Sequence, residues 1–168
     1  MDNEEERPAP LYGFGAAAVD GRIIVTGGAA LPGAAPNARG IALTLVYDPA
    51  LDEWASLADM PVERQRHASV AVGQAVYVIG GGNKFGILSR ADRYDVAANQ
   101  WTEVGGLSSP VQGHGAVVLD GQVYVLGGGG PEGFTDEALV WDTGTLSVAS
   151  IGKLTTTWGA VRQRTSPD

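Results

Sequence analysis

The chain has 168 residues, 25 of them glycine and 9 proline, with no cysteine and a formal charge of −8. Without thiols there is no disulfide framework and no thiolate metal centre. The acidic balance argues against nucleic acid, which requires a basic face, and no apolar run reaches the 18 residues of a membrane span.

Taken in chain order, residues 1–10 (MDNEEERPAP) are acidic and carry no export signal. They are expected to form a disordered tail, and the protein is expected in the cytoplasm. A first unit covers about 11–59. It has a strand GAAAV, a tight turn at Asp20-Gly21, a strand IIVT and the diglycine Gly27-Gly28, then a third strand ending in Tyr47-Asp48 and a fourth near Trp54. The second unit, about 60–106, repeats this with ASVAV, Gly73-Gln74, VYVI, Gly80-Gly81, Tyr94-Asp95 and Trp101. The third, about 107–152, has GAVVL, Asp120-Gly121, VYVL, Gly127-Gly128 and Trp141-Asp142, with Val148 where a third Trp is due. The aromatic-Asp pairs stand 47 positions apart, and the first unit carries six extra residues within Ala30–Ile41. Residues 153–168 begin a partial fourth unit, with Leu154 47 positions after Leu107. One strand is expected near 156–162 as a latch, with Trp158 as a substitute for the missing aromatic.

Four short strands per repeat, a diglycine after the second and an aromatic pair beyond it resemble the kelch repeat of β-propellers. Gly113-His114 and Trp141-Asp142 look like the dipeptides of the other common propeller repeat, but three diglycines favour kelch. The resemblance implies an all-β fold, a β-propeller of kelch type with three four-stranded blades per chain. Closed propellers need about four to eight blades. A second copy is therefore expected to complete a six-bladed ring, giving a homodimer. On this reading Val148 borders a seam, which accounts for its lost Trp.

Catalytic chemistry is sparse. His67 and His114 hold one repeat position, occupied by Phe14 in the first unit, so packing is the expected role. No GxSxG nucleophile elbow is present, and GGGNKFG and GGGGPEG lack the Lys-Ser/Thr ending of a phosphate loop. The copper oxidases on this fold use a Cys cross-linked to Tyr, which a chain without cysteine cannot supply. Asp59, Glu63 and His67, spaced by four, resemble the iron-binding pattern of the plant specifier proteins with the carboxylates exchanged, a low-ranked metal alternative. No cofactor is expected. Kelch adaptors present Arg and Asn from the loop before the first strand and the loop after the diglycine. By position this points to Arg66, Asn83, Lys84 and Arg39 as ligand-binding residues, with Glu63 beside them, while Gly113 replaces the arginine of the third unit. The alternative role for Arg66 is a structural arginine bonding loop carbonyls.

The expected function is a non-catalytic recognition or scaffold module that binds a protein or small ligand on its loop face, without nucleic acid or membrane. The alternative is an enzyme on the same scaffold, a sugar mutarotase, epimerase or lyase with Arg, Glu and His at the mouth of the central channel. A third reading is a fragment with no function of its own.

Overall fold

The computed structural model describes residues 10–30, 40–144 and 147–153. The acidic tail to residue 9, the inserted loop with Arg39, and the expected latch with Leu154 and Trp158 lie outside them. No helix of the described residues is long and apolar enough to cross a membrane.

Twelve strands form three four-stranded antiparallel sheets in chain order. The first contains β1 (Gly15–Val19), β2 (Arg22–Thr26), β3 (Thr44–Asp48) and β4 (Glu53–Ser56). The second contains β5 (Ala68–Val72), β6 (Ala75–Ile79), β7 (Arg90–Asp95) and β8 (Gln100–Gly106). The third contains β9 (Gly115–Leu119), β10 (Gln122–Leu126), β11 (Glu137–Asp142) and β12 (Ser147–Lys153). The opening hairpins turn where the sequence requires it. Asp20 and Gly21, like Asp120 and Gly121, all have positive φ, as a type I′ turn demands, whereas in the second hairpin Gly73 takes φ +57 without Gln74.

The sheets stack face to face as successive blades. Ala17, Val19 and Ile24 of the first pack on Val76, Val78 and Tyr94 of the second, with Met60 between. The opposite face of the second blade, with Val70, Tyr77, Ile79 and Ala91, receives Val123, Val125, Leu139 and Trp141 of the third. Side chains alternate across each strand, so every blade has two apolar faces and the middle one buries both. Strands β1, β5 and β9 touch across the joints and form the inner edge, the arrangement of a propeller.

The repeated aromatics hold the outer strands. Tyr47 lies opposite Trp54 and Tyr94 opposite Trp101, with ring centroids 4.8 and 5.0 Å apart. Trp101 Nε1 donates to Ala58 O across the joint, 2.8 Å, and Asn99 Oδ1 accepts from Ala58 N and from Tyr94 OH. In the third blade Trp141, on the third strand, packs edge-on against Tyr77 of the second blade and has Val148 as its register partner on the fourth.

Candidate functional site

The loop face begins where the blades join. Gly27 takes φ +55, and a Cβ there would stand 2.5 Å from Arg64 O and 2.7 Å from His67 Cε1. Gly28 N donates to Arg64 O, 2.9 Å. One joint on, a Cβ at Gly80 would meet Val111 O at 2.5 Å and His114 Cε1 at 2.9 Å, and Gly81 N donates to Val111 O, 2.8 Å. The diglycine thus clears space for the linker entering the next blade and fixes it by one backbone bond.

The histidines belong to this joint. His67 Nε2 lies 3.0 Å from Thr26 Oγ1, which in turn contacts Ser69 Oγ at 2.8 Å. Burial, helped by the charge of Arg64, depresses His67 to about 3, and burial depresses His114 to about 4. Both rings are neutral and packed at neutral pH, in keeping with the structural role expected of the shared position.

Arg64, to which the sequence does not point, is fully buried. Its Nη1 donates to Gly80 O and Arg90 O, 3.2 Å each, and its Nη2 to Asp92 Oδ2. Neither side chain has exposed surface. Desolvation pulls the guanidinium below its ordinary pKa, while the Asp92 charge pushes back. Asp92 also accepts from Arg90, whose Nη1 reaches Glu103 Oε2 at 2.6 Å. The structural arginine that bonds loop carbonyls is therefore Arg64 rather than Arg66. One signal could have found it: the same two repeat positions hold Leu11 and Leu45 in the first unit and Val111 and Leu139 in the third. Charge enters and leaves both positions together.

Arg66 is exposed and takes φ +56, where the first and third units have Gly13 and Gly113 at φ +62 and +64. Its N donates to Gly13 O, 2.7 Å, and its O accepts from Gly113 N, 2.8 Å, so one backbone chain crosses all three blades beside the inner edge. Its guanidinium makes no hydrogen bond or ion pair among the described residues.

Glu63, Asn83 and Lys84 meet as a clamp over the Arg64 slot. Lys84 Nζ lies 3.0 Å from Glu63 Oε1, and Asn83 Nδ2 donates to Glu63 O, 3.1 Å. Arg39 lies outside the described residues. The metal alternative is corrected. Asp59 is exposed, Glu63 is paired with Lys84, and His67 turns into the joint, so no group of three His, Asp or Glu suited to a metal gathers among the described residues.

Comparisons with known proteins agree with this geometry. No curated protein matches the sequence. The solved structure of YjhT superposes with a TM-score of 0.74 at 20% identity, over 91% of this chain and 54% of that one, a likeness of fold in which this chain spans about half the other's length. The kelch motif matches residues 63–108 and 110–151, more than half of the sequence, and the chain accordingly belongs to the kelch-motif family of β-propeller proteins.

Proposed function

We propose that the protein is a non-catalytic recognition and scaffold module that binds a protein or small ligand on its loop face, on a ring completed by a second copy. Arg66 carries the recognition reading. An arginine in the left-handed region costs about 1 kcal/mol relative to a residue at ease there, and both neighbouring units use glycine at this position. The strained site presents a guanidinium beside the inner edge, suited to a carboxylate or phosphate of the ligand. Two packed histidines and a paired Glu63 favour binding over the enzyme alternative.

The ring reading rests on repeat translation. Val70, Tyr77, Ile79 and Val104, which receive the third blade, recur 47 positions on as Val117, Tyr124, Leu126 and Ile151. Val70 and Val104 are 7% and 8% exposed, Val117 and Ile151 53% and 54%. An apolar face of this kind marks an interaction surface. At the other end of the stack Phe14, 46% exposed, holds the place of the packed histidines. Among the described residues a Cβ at Gly127 meets nothing nearer than 3.7 Å, in contrast to Gly27 and Gly80. Seated as His67 is on Gly27 beside Thr26, the partner's Phe14 covers Gly127 beside Leu126, an apolar pair in place of a polar one.

Two measurements test this. Sedimentation velocity of the wild type should give twice the 17.3 kDa protomer mass, with Val117→Asp releasing protomers, whereas a wild-type protomer at all concentrations removes the ring. In a thermal-shift screen of carboxylate- and phosphate-bearing peptides and small molecules, ligands that stabilise the wild type should fail with Arg66→Gly. Equal stabilisation of both, or turnover of a bound ligand, overturns the recognition reading.

A further inference from the structure

The slot that Arg64 fills in the second blade is open in the third. Val111 stands in place of Arg64 and Leu139 in place of Asp92, and a cavity of about 510 Å³ lies against both, reaching Val125 and Gly127. Its volume is that of a ligand site. The backbone that receives the guanidinium in the second blade is reproduced. Gly127 N donates to Glu137 O at 3.0 Å, just as Gly80 N donates to Arg90 O at 3.0 Å. The carbonyls of Gly127 and Glu137 therefore occupy the places of the two that accept from Arg64.

The mouth has changed in the same sense. The clamp of Glu63, Asn83 and Lys84 becomes Pro110, Gly130 and Pro131, none of which carries a side chain able to bridge the opening. At the position of the Arg90 cation stands Glu137, and at that of Phe85 stands Glu132, both lining the cavity. The negative charge that Asp92 supplies inside the second blade's slot is thus moved to the rim of the third. An apolar shaft, two carbonyls at its wall and carboxylates at its mouth fit a planar cation on an aliphatic stem, and they disfavour an anion.

We propose that this slot in the third blade binds a guanidinium on an aliphatic stem, the arginine side chain of a partner protein. In the second blade a guanidinium sits in the slot while Val111 O rests on Gly80. Occupancy and blade joining are therefore compatible. The proposal rests on the recognition reading, but it uses a different site from Arg66.

The test is an amide NMR titration of the full chain with Nα-acetyl-arginine amide, with the citrulline analogue as its neutral isostere. Saturable shifts centred on Val111, Gly127 and Leu139 are expected, with the citrulline compound at least ten-fold weaker. The variant V111R/L139D, which copies the second blade's own pair, should lose at least ten-fold in affinity, as should Val111→Met, which fills the shaft without charge. Arg66→Gly should bind the probe as the wild type does, which separates failure of the slot from failure at Arg66. Equal binding of the citrulline compound, undiminished binding by both filled variants, or no saturable shift overturns the proposal. Binding of free guanidinium as tight as that of the arginine amide would also overturn it, because the stem would then contribute nothing.

Discussion

Replacing both members of the buried pair by Arg64→Leu and Asp92→Leu copies Leu11 and Leu45 of the first blade into the second. Asp92→Leu alone leaves a guanidinium without surface exposure facing two carbonyls and no counter-charge, a change that costs about 3–5 kcal/mol. Arg64→Leu alone leaves the fully buried Asp92 carboxylate with Arg90 as its remaining arginine partner, about 2–4 kcal/mol. The double variant removes both charges and supplies apolar volume, and it should lie within about 2 kcal/mol of the wild type. The double-mutant cycle then shows a coupling of about 3 kcal/mol or more. Urea unfolding at pH 7 measures it, at one protomer concentration so that association does not enter the comparison. Single effects that add in the double variant to within about 0.5 kcal/mol would refute the view of Arg64 and Asp92 as one unit.

Acid should loosen the blade joints. His67 and His114, held near 3 and 4 in the folded chain against an ordinary 6.5, take up protons more readily when unfolded. Their contribution is whole above about pH 6.5 and falls as pH drops toward the folded values, by up to about 1.4 kcal/mol per pH unit for each ring. Urea unfolding between pH 6.5 and 5 should show this slope, and His67→Gln should reduce it; an unchanged slope would count against the buried ring. Alanine at Gly80 combines an unfavourable φ with a 2.5 Å approach to Val111 O, and the cost should exceed about 2 kcal/mol in urea titrations. Gly127→Ala meets no such neighbour among the described residues, so it should destabilise the protomer less while shifting the sedimentation profile toward it. Equal protomer destabilisation by the two substitutions would refute this account.

The joints were legible because backbone geometry dictates their residues. The hairpin turns need positive φ, and the diglycine stands where a Cβ would strike the next linker, so both leave fixed marks at fixed spacing. The loop face was less legible. Asp59, Glu63 and His67 share a face only if the linker is helical, and this one runs irregularly through a left-handed Arg66. Glu63, Asn83 and Lys84, which repeat position places together, do meet, though in contact with one another. Repeat position points to Arg66 rather than to Arg64 two residues before it, since which arginine turns inward depends on an Asp92 partner 28 positions away.

Comparison of the three blades shows why the linker position can diverge. Its carbonyl, Arg64 O or Val111 O, joins the blades through a glycine amide, and a backbone contact does not depend on which side chain the residue carries. The side chain points instead into its own blade, where it is released from the work of joining. The two positions hold leucine and leucine in the first blade, an ion pair in the second, and valine and leucine beside an open cavity in the third. Variation there alters the interior of one blade and leaves the stack intact. A repeat fold can therefore open a cavity by shortening one side chain, because the backbone carbonyl of that same residue carries the joint.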